Sequence, residues 1–383
     1  MQNSVKEQIL MTYDRVYVRG LRDIAACKTK ISFVDPSGVL YYSGYDIDRL
    51  IDRITFEEVT FLLLNKKLPN RKELENIKAT LFSEMKIPSK LIQEYSNKNV
   101  HPMKILRTTI SSLGESNYVY KENDESGNIQ LALRIIAQVP TIVANIYRMK
   151  NKQGLICPKK EYGFAENFLF MFRGKPASVE EKEAIERFMI LYADHGLNTS
   201  TFSARITAST LSDIYSGVTS AIGTLGGELS GGASERVMGM LLNVGNSEEV
   251  KTYIQDMLCK EKRIIGFGHG VYIKEDPRSK YLRKISKSLC LQNNKKELYY
   301  KARAIQYVVH KERKIFPNVS FYAALVLNAL GVPKEFFASF FASSRTVGWT
   351  AHILEQYADS VLLRPTSKYI GAYGTKFISI NNR

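Results

Sequence analysis

The sequence predicts a nearly all-α protein with short β elements near the N-terminus. Past residue 70, apolar residues recur at spacings of three and four and clusters of Gly or Pro are short, as in amphipathic helices. Alternating apolar and polar residues, which are typical of strands, are confined to residues 29–34 and 38–42, on either side of the turn signal Asp35-Pro-Ser-Gly38. The chain has 383 residues, of which 44% are hydrophobic, so we expect one large domain and one smaller domain.

The best-defined helix begins after Pro176, where Ser178 and Glu181 form a capping-box signature. Its pattern continues to Gly196, and its apolar face is formed by Ile185, Phe188, Met189 and Tyr192. Comparable patterns predict helices at residues 73–85, 128–150, 198–215, 279–291, 296–311 and 334–358. No internal repeat or low-complexity linker occurs, so we expect any second domain to be inserted into the first.

Composition narrows the function classes. The four cysteines lie far apart without a Cys-x-x-Cys pair, which indicates neither a zinc site nor a disulfide scaffold. No stretch approaches the roughly 18 apolar residues of a membrane span, and the first residues lack the apolar segment of a signal peptide. We therefore expect a cytoplasmic protein that has no membrane partner.

The net charge of +16 favours polyanionic ligands in general. Lysines and arginines are interleaved with acidic residues, however, and no recognised nucleic-acid motif occurs. Nucleic acid is therefore not an expected partner, whereas phosphorylated cofactors and small carboxylates remain candidates.

Two of the five histidines lie in settings unusual for structural residues. His195 follows Asp194 at the end of the capped helix, and His269 lies within Gly266-Phe-Gly-His-Gly270. Glycines on both sides of a histidine let the backbone approach a ligand closely and expose amide donors for phosphate or carboxylate. A Gly-rich segment alone is unspecific, but here Asp276-Pro-Arg278 follows it. We expect the remaining histidines to be hydrogen-bonded structural residues, namely His101, His310 and His352.

Three arginines follow in the sequence: Arg278, Arg345 in Ser344-Arg-Thr-Val-Gly-Trp349, and Arg364 in Leu363-Arg-Pro365. Any one of them alone is more typical of a surface residue or a structural ion pair. Together they are suited to binding a dicarboxylate or tricarboxylate, because guanidinium binds carboxylate bidentately and stays charged. Composition alone does not show that they meet in space.

Several segments, in their order along the chain, resemble motifs of the citrate synthase family, and most closely those of its short archaeal and bacterial dimeric type. The segments are Gly20-Leu-Arg-Asp-Ile-Ala25, Thr55-Phe-Glu-Glu58, His101-Pro-Met-Lys-Ile-Leu-Arg107, Asp194-His-Gly-Leu-Asn-Thr-Ser-Thr201, Gly266-Phe-Gly-His269 with Asp276-Pro-Arg278, and Arg345-Thr-Val-Gly-Trp349. The resemblance covers essentially the whole chain.

The resemblance implies a homodimer with the citrate synthase fold. Its large helical domain would comprise residues 1–214 plus 326–383, and a small inserted domain, residues 215–325, would close over the substrate. Oxaloacetate, or a similar dicarboxylate or tricarboxylate, would be bound by residues of one subunit and by Arg364 from the other. The residues of the first subunit would be His195, His269, Arg278, Arg345 and the aromatic Phe341.

The resemblance also implies acetyl-CoA or another acyl-CoA as co-substrate, with no tightly bound cofactor and no metal. The adenine end of CoA would meet the backbone of Ile265, Gly266, Phe267 and Gly268. The family often has Arg directly after the loop histidine and Lys four residues after it, where this chain has Gly270 and Ile273. Lys274 is displaced by one residue, and basic residues such as Arg313 are the expected compensation for binding CoA phosphates.

Two further positions depart from the family pattern. Ser230 stands where the resemblance places the histidine that assists enol formation, and Ser320 stands where it places the aspartate that removes the methyl proton. An alcohol is too weak an acid for its conjugate base to exist near neutral pH, so Ser320 without an activating neighbour cannot act as the base. His269 would still polarise the ketone.

Three readings follow from these serines. The chain is a dicarboxylate-binding protein with weak or no citrate synthase activity, a condensing enzyme that recruits another carboxylate such as Glu228 or Glu235, or a working citrate synthase. In the first case it acts as a sensor or pairs with an active paralogue in a mixed dimer.

Overall fold

The computed structural model describes residues 17–21, 23–88, 90–96, 99–115, 124–246 and 248–383. The chain separates into two compact units, which are Thr29–Val361 and a terminal unit made of Met1–Lys28 with Leu362–Arg383. The larger unit contains the helical core. The division into residues 1–214 plus 326–383 and residues 215–325 stays a prediction.

A three-stranded antiparallel sheet of order β1-β2-β3 opens the larger unit. It consists of β1 Ser32–Asp35, β2 Val39–Tyr42 and β3 Tyr45–Asp46. Gly38, at φ 97°, closes the tight turn between β1 and β2, a conformation that few other residues adopt. Both predicted strands are therefore confirmed, and the first begins at Ser32 rather than at residue 29.

Helices form nearly all of the remaining regular structure, as predicted. They are α1 Ile47–Leu50, α2 Phe56–Asn65, α3 Arg71–Glu84, α4 Lys90–Ser96, α5 Pro102–Glu115, α6 Glu125–Lys150, α7 Phe164–Arg173, α8 Val179–Tyr192, α9 Thr199–Ser209, α10 Ile214–Leu225, α11 Ala233–Asn243, α12 Val250–Cys259, α13 Pro277–Gln292, α14 Lys296–Arg313, α15 Val319–Ala329 and α16 Phe337–Asp359.

The capping box predicted for α8 is present. Glu181 N donates to Ser178 Oγ at 3.2 Å, and Ser178 N donates to Glu181 Oε2 at 2.9 Å. These bonds satisfy amides that have no partner within the first turn of the helix. The local sequence therefore determines where α8 begins. His195 lies three residues after Tyr192, the last residue of this helix.

The single helix predicted at residues 198–215 is wrong, because the segment forms two helices. α9 ends at Ser209, and Leu211 then adopts a positive φ of 62°. Asp213 accepts a hydrogen bond from Ser216 N at 3.0 Å and so caps a new helix, α10. Continuous apolar periodicity hid this break.

Two helices are more apolar than an amphipathic pattern allows. α15 is buried along nearly its whole length and was not predicted. By length and composition, α6 is long and apolar enough to cross a membrane. The prediction that no stretch approaches the length of a membrane span is therefore wrong. In the structure, 78% of the apolar 18-residue stretch of α6 is buried within the protein, as in a core helix.

α16 is the central buried helix and carries Arg345. It packs against α6, α8 and α9, and Trp349 and Phe340 are fully buried. The Phe340 ring lies 4.4 Å from Phe168 and 5.0 Å from Phe172 on α7, measured between ring centroids. This aromatic packing fixes the helix that contributes Arg345 and Phe341 to the candidate site.

The terminal unit contains short 3₁₀ turns at Arg19–Leu21 and Ile380–Asn382. Its C-terminal segment exposes large apolar side chains, and Ile370 and Phe377 are 93% and 86% exposed. Arg364 lies in this unit and is exposed.

Candidate active site

The loop that carries His269 depends on two glycines with positive φ, Gly266 at 88° and Gly268 at 76°. A β-carbon at residue 266 would lie 2.7 Å from Val237 and 2.9 Å from Phe321, so no larger residue fits there. The prediction that these glycines let the backbone approach a ligand closely stays a prediction, although Gly266 does allow a close backbone approach. The group that it approaches, however, is the protein's own core.

The segment before Ser320 pairs with this loop. Gly268 N donates to Phe316 O at 2.9 Å, Asn318 N donates to Gly266 O at 2.8 Å, and the Asn318 side-chain amide donates to Gly268 O at 3.0 Å. Asn318 Oδ1 also caps α15 by accepting from Ser320 N at 3.1 Å. Asn318 therefore holds the His269 loop beside the start of the helix that carries Ser320.

His269 is neutral and presents one defined tautomer. Its Nδ1 accepts hydrogen bonds from Val271 N at 3.0 Å and Tyr272 N at 3.1 Å. Burial, assisted by the charge of Arg278, lowers the pKa of His269 to about 4. Because Nδ1 is an acceptor, Nε2 carries the hydrogen and can donate it to a ligand.

His195 lies next to His269, with the ring centroids 5.2 Å apart. Its Nε2 lies 3.1 Å from the Tyr272 hydroxyl. Burial lowers the pKa of His195 well below its ordinary value, and the charge of Arg278 adds to the effect. Both histidines are therefore uncharged hydrogen-bonding groups at neutral pH.

Arg278 is 2% exposed and lies in the first turn of α13. Its Nε and Nη2 donate to the two oxygens of Asp276 at 2.9 and 2.7 Å. Burial alone would lower the pKa of Arg278, but Asp276 outweighs burial and raises it. Asp276 Oδ2 also accepts from Val319 N at 3.3 Å, which ties this ion pair to the Ser320 segment.

Arg345 and Phe341 lie one turn apart on α16, and both are buried. Arg345 Nε donates to the Tyr192 carbonyl at 2.8 Å, and the Phe341 ring stacks on the Tyr192 ring with centroids 4.3 Å apart. Burial lowers the pKa of Arg345, and the charge of Arg278 adds to the effect. The end of α8 thus positions both residues beside His195.

The rest of the Arg345 motif also supports the site. Trp349 Nε1 donates to Ser200 Oγ at 3.0 Å, which fastens α16 to the segment that follows His195. His352 is fully buried, and its Nε2 lies 3.4 Å from Asp194 Oδ2. The expectation that His352 is a structural residue is confirmed.

The structure therefore brings together His195, His269, Arg278, Arg345 and Phe341. Two neutral imidazoles and two buried guanidinium groups are suited to a small anion that also carries a carbonyl oxygen. Arg364 lies in the separate terminal unit, so its contribution from a partner subunit stays a prediction.

Ser230 and Ser320 are both half-buried. Ser230 lies in the turn between α10 and α11, where its N donates to Gly227 O at 3.0 Å. Ser320 is the second residue of α15. His101 Nε2 lies 3.6 Å from Glu235 Oε2, and Glu235 lies in the first turn of α11, five residues after Ser230 in the chain.

The residues predicted to bind CoA line three neighbouring cavities. Phe267 and Arg313 line one of about 510 Å³, together with Lys262 and Arg263. Ile265 lines another of about 580 Å³, which also contains His101 and Glu235. Gly268 and Lys274 line a smaller one of about 150 Å³ beside His269. Gly266 is buried and shapes the loop between them.

His195, His269 and Asp276 also bring potential metal-binding atoms within 4.8 Å of one another. Both Asp276 oxygens bind Arg278, and His269 Nδ1 accepts two amide hydrogens. Metal coordination at Nε2 of His269 would require moving its hydrogen to Nδ1 and losing those bonds. The donor set therefore fits an anion better than a metal ion.

Comparison with known proteins agrees with this geometry. The family model described as "Citrate synthase, C-terminal domain" matches residues 20–366. The chain belongs to the citrate synthase family. The Bacillus subtilis protein named citrate synthase 2 is 43% identical over 368 residues, which is 95% of this chain and 99% of that protein. A second Bacillus subtilis relative, citrate/2-methylcitrate synthase, is 34% identical over 94% of this chain and 98% of its own.

A solved citrate synthase from the archaeon Thermoplasma acidophilum, in ternary complex with carboxymethyl coenzyme A and oxaloacetate, has a TM-score of 0.90 and 29% identity. The match covers 96% of this chain and 99% of that one. The predicted citrate synthase fold is therefore confirmed.

Sequence reasoning missed three site residues. Asn318 holds the two loops together, Tyr272 contacts His195, and Tyr192 supports Phe341. Asn318 lies in a segment that the sequence singled out only for Ser320. Tyr192 was assigned to the core face of α8, and its spacing gave no sign of a second role.

Proposed function

We propose that this citrate synthase family member condenses an acyl-CoA with a 2-oxo dicarboxylate, of which oxaloacetate is the simplest. The convergence of His195, His269, Arg278 and Arg345 supports this proposal, because it supplies both carboxylate and carbonyl recognition. The names of the relatives, citrate synthase and citrate/2-methylcitrate synthase, favour an active enzyme.

In this proposal the arginines bind the carboxylates, and His269 donates Nε2–H to the ketone oxygen. That hydrogen bond polarises the carbonyl toward attack without a change in protonation, because the neutral imidazole is already the donor. His195 makes a second hydrogen bond to the dicarboxylate, as donor or acceptor, and the Phe341 ring forms an apolar side of the binding site. Arg364 of a second subunit completes the carboxylate binding.

The acyl-CoA lies along Ile265, Gly266, Phe267 and Gly268. Arg313, Lys262 and Arg263 surround one cavity there and supply positive charge for phosphates. Lys274 is exposed at the next cavity and is a further candidate for a phosphate contact.

Condensation also requires a base, because Ser230 and Ser320 occupy the positions that the resemblance assigns to the catalytic histidine and aspartate. Of the two carboxylates that the sequence suggested, Glu228 is 82% exposed and pairs with Arg236, whereas Glu235 is only 31% exposed and pairs with the histidine His101. Glu235 is therefore the better placed replacement. If it serves as the base, Glu235→Gln will slow thiol release from acyl-CoA and Glu228→Gln will not.

A second candidate is favoured by the two serines. Here the chain binds oxaloacetate or citrate and has weak or no citrate synthase activity. Each positioned acid or base contributes on the order of 10²–10⁴-fold to rate, so loss of both would leave little turnover. Calorimetry with oxaloacetate or citrate tests the binding that both candidates share, and no binding at millimolar concentration would contradict both.

We propose a homodimer as the working assembly. The C-terminal segment exposes large apolar side chains, including Ile370 and Phe377. This exposure supports the proposal that a second chain buries them. Native mass measurement tests this assembly. The same measurement after co-expression with an active paralogue tests for mixed dimers, and their absence would count against a role as an inactive partner.

A further inference from the structure

Tyr192 ends α8, three residues before His195, and is 4% exposed. Its hydroxyl is buried without a hydrogen-bond partner among the residues that the structure describes. An unpaired buried hydroxyl destabilises a folded protein, because it loses its bonds to water and gains none. A phenylalanine would fill the same space without that cost.

The surroundings of Tyr192 belong to the dicarboxylate site. Its ring packs against the Phe341 and Phe188 rings, with centroids 4.3 and 4.8 Å away. The Arg278 guanidinium carbon lies 5.9 Å from the ring centroid, and Arg345 Nε donates to the Tyr192 carbonyl. The Phe188 and Phe341 rings also stack on each other, with centroids 5.8 Å apart, so the three rings form one packed cluster that holds the Tyr192 ring in place.

Burial raises the pKa of the Tyr192 hydroxyl, so it keeps its proton across the physiological range and remains a donor. The charges of Arg278, Asp276 and Arg345 all act on it. A carboxylate bound by the two arginines would supply an acceptor that none of the described residues provides.

We propose that the Tyr192 hydroxyl donates a hydrogen bond to a carboxylate of the bound dicarboxylate and is a specificity-determining residue. The inference rests on the proposed function, and it adds a neutral donor to the two arginines. The hydroxyl has no partner among the described residues and gains one on binding, so it favours a ligand with an oxygen at this point over a ligand without one.

The test is Tyr192→Phe, which removes only the oxygen. Calorimetry with oxaloacetate should show affinity about 10- to 100-fold weaker than in the native protein, as expected for loss of a hydrogen bond to a charged group. The melting temperature of the ligand-free variant should be equal or higher. Acyl-CoA affinity should not change.

Tyr357→Phe is the matched control. The Tyr357 hydroxyl donates to Ser212 O at 2.5 Å near the far end of α16, so it has a structural partner. Its removal should lower the melting temperature and leave oxaloacetate affinity unchanged. Tyr192→Phe is therefore expected to lower oxaloacetate affinity without lowering stability, and Tyr357→Phe to lower stability without changing affinity.

Each other outcome counts against the inference. Equal oxaloacetate affinity in Tyr192→Phe and the native protein would overturn it while leaving the proposed function intact. A lower melting temperature in Tyr192→Phe would show that the hydroxyl has a structural role. No oxaloacetate binding by the native protein would overturn the inference together with the proposed function.

Discussion

Gly348 lies directly against Asp194. A β-carbon at residue 348 would lie 2.2 Å from Asp194 Oδ1 and 2.6 Å from the Ala193 carbonyl oxygen, and Gly348 N donates to that carbonyl at 3.0 Å. The contact joins the segment that carries Arg345 to the segment that carries His195. Only glycine permits helix and loop to approach this closely.

Gly348→Ala should therefore destabilise the protein, by about 1–3 kcal/mol, as in other overpacked cores. Gly239→Ala is the matched control, because Gly239 also lies in a helix but a β-carbon there meets nothing within 4 Å. That control should stabilise by about 0.5–1 kcal/mol through helix propensity. Denaturant unfolding measures both, and equal effects would contradict the close contact.

Arg278→Lys should weaken oxaloacetate binding by roughly 10- to 100-fold, because lysine keeps the charge but cannot keep the paired hydrogen bonds by which Asp276 orients the guanidinium group. Arg283→Lys on the same helix is the control, since Arg283 pairs with Glu275 and is 27% exposed. Calorimetry should show full affinity for the control. An equally small effect of both substitutions would show that Arg278 does not contact the ligand.

His269 should remain neutral, with its hydrogen on Nε2, throughout the physiological pH range. Its pKa in the folded protein is about 4, below the value near 6.5 expected when unfolded. Its contribution to stability is therefore complete above about pH 6.5 and is lost as the pH falls toward 4. Nitrogen NMR of labelled histidine reports both properties, and protonation near pH 6.5 or a hydrogen on Nδ1 would contradict the assignment.

Glu186 should make stability fall with rising pH. Burial, together with the charge of Glu57, raises the pKa of Glu186 to about 8, whereas an unfolded glutamate titrates near 4.3. The stabilisation is complete below about pH 4.3 and is lost as the pH rises through 8, with a slope of up to about 1.4 kcal/mol per pH unit.

Glu186→Gln should remove this slope, because an amide stays uncharged. Glu183→Gln on the same helix should keep it, since Glu183 is 55% exposed. Denaturant unfolding between pH 5 and 9 measures the slope. An unchanged slope in Glu186→Gln would mean that other groups cause the pH dependence.

Local signals in the sequence predicted much of the fold but not all of it. The capping box of Ser178 and Glu181 and the turn at Gly38 are short-range features, and both were predicted correctly. The helix break at Leu211 depends on one aspartate, Asp213, within unbroken apolar periodicity. α15 is buried along nearly its whole length, so it has no exposed polar face for periodicity to detect.

Residue chemistry singled out the histidines and arginines of the candidate site, and motif order assigned them to one site. The sequence named His195, His269, Arg278 and Arg345 separately, and only the fold shows that they meet. The role of Tyr192 depends on an unpaired hydroxyl, which no sequence pattern reports. The contribution of Arg364 from a second chain stays a prediction.

The most direct test of the account is release of CoA thiol from acetyl-CoA and propionyl-CoA in the presence of oxaloacetate. The native protein is compared with the double variant Ser230→His plus Ser320→Asp. If the chain is a condensing enzyme with a replaced base, the native protein should release thiol at an ordinary enzymatic rate, roughly 1 s⁻¹ or more, with at least one acyl-CoA. A silent native protein together with an active double variant would contradict this and establish a binding site that has lost its acid and base.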